Sequence, residues 1–428
     1  MFINFPEVHM RIEKLGGALF PPMIRIRQKY EAQKIENISE HFLGQLQYLQ
    51  NQEISGKRIA IAVGSRGIPH LADILKVLST ELKSRGAFPF IVPSMGSHGG
   101  ATAEGQEMLL RGYGITEATV GVPIVSDMAV EQYGEVEGIP LYCDRAAAKA
   151  NGIIILNKIK PHTDFRGDIE SGLCKMIAIG LGKHKGATAL HAAGFAQFPH
   201  LLPKVAEIFL HKMPVLCGIG LVQNAYDEIC ALEVTPPDRL IETDKRLLKL
   251  AKERIARFKF GALDVLIIDQ IGKNISGFGF DPNVVGRINS GLPGFSDILQ
   301  LHRLFIRGIT PETEHNGCGI SAADITTRRC LNEIDWETVW TNMITSTMIH
   351  GGKIPMYMNN DRDALCVAIQ SCGTVRPGKL RLARIQNTLR LSEIEVSRAL
   401  YEEICHRPDV EYLDGPYDLQ FDDEGNLL

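Results

Sequence analysis

The sequence predicts an α/β protein: two α/β domains with largely parallel sheets flanking an active-site cleft. Three observations carry that prediction. Short β-branched runs alternate with helical stripes from residue 57 onward. A second strand–loop–helix series opens near residue 262, after a long amphipathic segment. At 428 residues, the chain is longer than one ordinary core supports.

Taken in order, KRIAIAV (57–63) reads as a buried strand. HLADILKVLSTELKSRG follows, and its Leu71, Ile74, Leu75 and Leu78 form a helical stripe. PFIVP (89–93) is the next strand, then the glycine-rich SMGSHGG (94–100) and a helix N-capped near Thr102. GIIILN (152–157) is a third strand, and PVLCGIGLVQN (214–224) with EICALEV (228–234) form another pair. Residues 236–260 read as one long amphipathic helix leading to the strand ALDVLIID (262–269). The expected domains are therefore 1–258 and 259–428, the second closing the cleft. The terminal segment is left open to pack back on the first domain. Residues 391–405 read as a helix, and DEGN near the end as a hairpin turn.

Composition excludes several function classes. Hydrophobic residues at 45% and charged residues at 22% rule out wholesale disorder. A formal charge of −4 argues against nucleic acid as the main partner. Nine cysteines without a CxxC indicate neither a zinc ribbon nor a disulfide framework. MFINFPEVHMRIEK contains no apolar run of signal-peptide length, and no stretch of about 20 apolar residues occurs, so a cytoplasmic protein without a membrane partner is expected. GLGKHKG lacks the spacing of a nucleoside-triphosphate loop.

The polar clusters each follow a strand, where α/β proteins bind ligands. His98 sits between glycines in SMGSHGG, and His162 lies in KIKPHTDFRG. Each alone reads equally well as a loop histidine; together they suit proton transfer on two sides of a substrate. Lys175 stands among Leu173, Cys174, Met176 and Ile177, where a lysine either snorkels to water or becomes nucleophilic. His184 and His191 would share a helical face, although two histidines without a third ligand are a weak metal signal. Arg66 in GSRG, with Gln270 and Lys273 in DQIGKN, could hold ligand oxygens.

The ordered set resembles the nickel-pincer lactate racemase family and its 2-hydroxyacid racemase and epimerase relatives. The matching positions are Arg66, His98, His162, Gly172-Leu-Cys-Lys175, His191 and Gln270-Ile-Gly-Lys273, over residues 57 to 275. The resemblance implies a nickel pincer nucleotide, a pyridinium-3-thioamide-5-thiocarboxylic acid mononucleotide, tethered to Lys175, with His191 as the protein's metal ligand. It implies His98 and His162 as catalytic acid–base residues, and Arg66, Gln270 and Lys273 as substrate-binding residues. The expected partners are a small 2-hydroxy acid and the accessory enzymes that make the cofactor; oligomerisation is left open. Ser97-His98-Gly99-Gly100 and Asp269 depart from the family pattern, and residues 164–170 are unusually charged. The expected substrate stays a 2-hydroxy acid, and these changes would suit a sugar acid or hydroxy dicarboxylate better than lactate. Two other readings use the same residues: a metal-free acid–base dehydratase of hydroxy acids, and a non-catalytic binder of a phosphorylated small molecule.

Overall fold

Strand β1 (Met23–Gln28) departs from the expected layout at once. It lies between two strands from the far end of the chain, Glu393–Ser397 and Val410–Tyr417, antiparallel to both. The computed structural model describes residues 1–9, 20–64, 67–373 and 378–428. It divides into one compact unit of Glu31–Ile255 and another of Met1–Tyr30 with Ala256–Leu428. The expectation that residues 1–30 belong to the first domain is thereby corrected, because their strand hydrogen-bonds are made in the other unit. The terminal strand Val410–Tyr417 likewise pairs there with β1.

The unit Glu31–Ile255 contains β2 (Arg58–Val63), β3 (Phe88–Pro93), β4 (Val130–Val136), β5 (Ile139–Asp144), β6 (Gly152–Lys158), β7 (Val215–Gln223) and β8 (Ile229–Thr235). Its main sheet has the order β3-β2-β6-β7-β8, parallel except for the last pair, while β4 and β5 form a separate hairpin. The helix Leu71–Ser84 buries Leu71, Ile74, Leu75 and Leu78 in one core with Ile59, Ile61 and Val63 of β2, as the stripe predicts. Thr102 accepts a hydrogen bond from Gly105 N–H and caps the helix Ala103–Gly112. The long amphipathic helix is shorter than expected: its α-helical part is Leu240–Arg254, and Ile255 is already extended.

The other unit contributes β9 (Ala262–Ile268), β10 (Gln300–Ile306), β11 (Ile325–Thr327), β12 (Met356–Met358), β13 (Leu382–Ile385), β14 (Glu393–Ser397) and β15 (Val410–Tyr417). With β1 they form an eight-stranded sheet of order β12-β11-β10-β9-β13-β14-β1-β15. Its first five strands are parallel and the rest antiparallel. The helix expected over 391–405 is half strand. Ile394 and Val396 are buried and alternate with Glu393 and Glu395, the two-residue period of a strand. They pair with Ile26 and Ile24, and the helix begins only at Arg398, capped by Ser397. Near the end of the chain, Phe421 bridges Leu427 around the expected turn. No helix among the described residues is long and apolar enough to cross a membrane.

Candidate functional site

Parallel register aligns the ends of β2, β3 and β6: Val63 pairs with Pro93 on one side and Leu156 on the other. Gly64, Ser94 and Asn157 therefore emerge side by side at the carboxyl edge. A cavity of about 140 Å³ opens there, lined among others by His98, Asn157, Lys158, Lys160, Lys175 and His191. Three loops that the sequence places after strands thus meet within one unit.

Lys175 ends a short helical turn, Leu173–Lys175, that runs on into a π-helical turn, Met176–Gly180. Such turns recur at functional sites because the extra residue re-aims side chains. Buried Asp244, from the helix Leu240–Arg254, accepts Cys174 N–H at 2.8 Å and so caps this turn. Position 172 must be glycine for that: a Cβ there would lie 1.9 Å from Asp244 Oδ1. Burial pushes the Asp244 carboxyl up, and the N–H groups of Cys174 and Leu173 oppose that rise. From the sheet edge, Asn157 Nδ2 donates to Gly172 O at 2.7 Å.

His162 is buried and lies against this lysine, its Nε2 at 2.5 Å from Lys175 Nζ. Its Nδ1 accepts Asp164 N–H at 3.0 Å, and the Asp164 carboxylate is 3.8 Å from the same nitrogen. The ring packs on Phe165 at 4.3 Å and Phe195 at 5.7 Å between centroids. Glu170, fully buried, anchors the loop by accepting His162 N–H at 2.7 Å and Gly167 N–H at 3.2 Å. Lys252 at 2.6 Å and Arg166 at 3.5 Å neutralise it. The charged 164–170 loop therefore spends Glu170 on holding His162, where the sequence reading offered its charges to a substrate.

His98 is exposed, on a loop with positive φ at Gly96, Gly99, Gly100 and Ala101. The loop is fastened beneath. Gln106 Nε2 donates to Gly96 O at 3.0 Å and His98 O at 3.3 Å. Gln106 Oε1 in turn accepts from the fully buried Lys183, which pairs with the equally buried Asp144 at 3.2 Å. Gly99 and Gly105 meet backbone to backbone, since a Cβ on Gly105 would fall 2.0 Å from Gly99 O.

His191 ends the helix Lys183–His191. Its Nδ1–H donates to Ala187 O at 2.7 Å, which leaves Nε2 as the lone-pair nitrogen. Burial lowers this imidazole to about 4, so it is neutral at pH 7. His184, in the first turn of the same helix, is exposed.

The architecture has solved counterparts. A Thermotoga maritima protein of known crystal structure matches with a TM-score of 0.52 at 12% identity, over 82% of this chain and 97% of its own. The lactate racemase apoprotein from Thermoanaerobacterium thermosaccharolyticum aligns over 80% of this chain and 99% of its own, with a TM-score of 0.46 and 13% identity. The strand pairings make the chain an α/β protein with two mixed, largely parallel sheets. No family model and no curated protein sequence matches it.

Gln270 and Lys273 follow β9 in the other compact unit, and Arg66 lies outside the described residues. Lys273 Nζ donates to Gly277 O at 2.8 Å, and its N–H to Thr313 Oγ1 at 3.0 Å. Gln270 N–H donates to Gln386 O at 2.9 Å. The neighbouring Asp269 serves the fold. It binds Arg307 at 2.7 Å and Arg384 at 3.0 Å, and Arg307 continues to buried Asp361 at 2.7 Å. A carboxylate bound by two guanidinium groups is engaged in holding the sheet together. Sequence reasoning missed Glu170, Asp244, Asn157 and the Lys183–Asp144 pair as supports of the site. Asp144 in LYCDRAAA and Asn157 closing IIILN border apolar runs and could have been singled out, whereas Glu170, Asp244 and Lys183 lie in polar stretches that give no such signal.

Proposed function

We propose that this chain is a nickel-pincer-dependent racemase or epimerase that inverts the C2 centre of a 2-hydroxy acid. The observation supporting this most is the grouping of His98, Lys175 and His191 around one cavity, with His162 bonded to Lys175. Their order in the sequence alone suggested that set.

The side chains fit the implied cofactor. Lys175 would carry the covalent attachment, and His191 Nε2 would be the protein's donor to nickel. Among the described residues no three His, Cys, Asp or Glu side chains gather as metal ligands, so a metal at His191 needs donors from a bound group. Sulfur-bearing arms are such donors and suit nickel. When bound, the cofactor supplies a hydride acceptor, which avoids a carbanion beside the carboxylate.

The remaining work belongs to the chain. One histidine would take the hydroxyl proton when the C2 hydrogen leaves as hydride; when hydride returns to the opposite face of C2, the other would give the oxygen its proton back. For His162 to take a proton at Nε2, Nδ1 must carry its own. The Asp164 carboxylate, 3.8 Å away, is the group placed to accept it after a small shift. Phe165 and Phe195 cover the ring and keep water from it. The carboxylate-holding roles of Arg66, Gln270 and Lys273 rest on the sequence resemblance.

Protein coexpressed with the cofactor-making enzymes should show an adduct mapped to Lys175 together with bound nickel. His191→Ala should lose most of that nickel and His184→Ala little. An unmodified Lys175 in cells that load a known pincer enzyme would sink the reading.

A further inference from the structure

Lys183 stands in a conformation that its residue type resists. Its φ is +53°, in the left-handed region that glycine enters freely and a lysine enters under strain. Its side chain is fully buried, a setting lysine almost never takes unless paired. Strain and a buried cation at one residue persist only where the surroundings hold both. Three elements do so here. Nζ donates to the carbonyl of Pro93, the last residue of β3, and to Gln106 Oε1 in the helix Ala103–Gly112 at 3.1 Å. It pairs with Asp144, the last residue of β5, at 3.2 Å.

The cation decides which way the Gln106 amide faces. With Oε1 turned to Lys183, the Nε2 hydrogens point the other way, to Gly96 O at 3.0 Å and His98 O at 3.3 Å. A flipped amide would set N–H against an ammonium and oxygen against two carbonyls. The same loop meets the chain around Lys183 a second time. Gly96 N–H donates to Gly180 O at 3.2 Å. A Cβ on Gly180 would lie 2.6 Å from Ser94 O, and one on Gly96 would lie 3.1 Å from Ile179 and 3.4 Å from Ala187. The loop is therefore gauged against residues 179–187, the stretch between Lys175 and His191.

We propose that Lys183 is a positioning residue: acting through Gln106, it sets the backbone that carries His98 against the segment joining Lys175 to His191. All of these groups belong to the compact unit Glu31–Ile255. The placement of the loop stands on these contacts alone. Its use in inverting a 2-hydroxy acid rests on the proposed function, in which a base displaced by about 1 Å loses on the order of a hundredfold in rate.

Two single variants test this. Gln106→Met keeps a straight side chain of similar length and leaves the Lys183–Asp144 pair standing, but removes the amide; Lys183→Met removes the cation. In the full chain without cofactor, amide exchange at Gly96 and His98 should quicken about tenfold in both. In Gln106→Met, amides of the helix Leu71–Ser84 should keep their wild-type rates. In protein loaded with nickel and cofactor, label transfer per bound nickel should fall about 10- to 100-fold for the 2-deuterated enantiomer that His98→Ala silences. Transfer from the other enantiomer should stay within about twofold, and the double variant should be no slower than the worse single one. A lysine that only holds the fold together would reduce the folded, nickel-bearing protein and slow both enantiomers alike per nickel, or neither. That result, or unchanged exchange at Gly96 and His98, overturns the proposal. Quickened exchange in protein that never acquires a nickel adduct would keep the loop placement while removing the pincer reading.

Discussion

The two histidines on the strand-end loops are held in opposite ways. His162 is buried, packed on two phenylalanine rings, and bound at both ring nitrogens, with a buried glutamate fastening its backbone. His98 is exposed, on a loop of glycines, and the loop is secured through the carbonyls of Gly96 and His98. One side chain is held at both ring nitrogens. The other is an exposed ring whose backbone is held through two carbonyls. In the proposed two-base reaction, the buried ring would be the prepositioned partner and the exposed one would stand on the side that admits substrate.

The largest effects should come from the rings themselves. His98→Ala and His162→Ala should each lower racemisation by on the order of 10²–10⁴. Assays with each 2-deuterated enantiomer should show label reaching the cofactor from opposite enantiomers in the two variants. Loss of transfer from the same enantiomer in both would mean the histidines act on one face, and the comparison would fail.

The support beneath His98 comes next. Lys183→Met removes the partner of a fully buried Asp144 and should cost about 3 kcal/mol, read as a fall in urea midpoint. A loss under about 0.5 kcal/mol would show that the pair carries no such weight.

Acid should discriminate a third histidine. His191 titrates near 4 in the fold and near 6.5 unfolded, so the unfolded chain binds the extra proton between those values. Stability should therefore decline as pH falls from 6.5 to 4, and His191→Gln should abolish on the order of 2 kcal/mol of that decline. Equal pH profiles for the two proteins would contradict a buried, neutral imidazole.

Smallest is the loop anchor. Glu170→Gln keeps one acceptor for His162 N–H but removes the charge that Lys252 and Arg166 face. A loss of about 1 kcal/mol is expected, with KM little changed and kcat reduced. The reverse pattern would assign Glu170 to the substrate.

Much of this was legible along the chain because local physics repeats. The β-branched runs of β2, β6 and β9 and the stripe of Leu71–Ser84 announce themselves by period. The strand-end position of His98 and the apolar setting of Lys175 follow from the same reading. What escaped depends on pairing across long separations. Asp244 is 70 residues from the Cys174 N–H it caps, and β1 pairs with strands more than 360 residues on. β14 escaped for another reason: five residues of alternation next to a helix blend into one apolar stretch. Lys183 gave a weak signal, since a lysine beside His184 reads as a solvated charge until its complete burial is seen.

The contact between Gly99 and Gly105 bears on how this pocket could be re-engineered. A methyl at 99 would meet Gln106 N at 2.6 Å, and one at 105 would strike the Gly99 carbonyl. The two positions are coupled: replacing either displaces the backbone that carries His98, and no second substitution restores the lost space. A library that randomises residues 97 to 105 to change substrate preference should return diversity at exposed Ser97, yet glycine at both 99 and 105 in every active clone. Roughly 1 in 400 equally weighted clones keeps both, since each position has one chance in about 20 of being glycine, so fixing them in advance enlarges the useful sequence space searched by that factor.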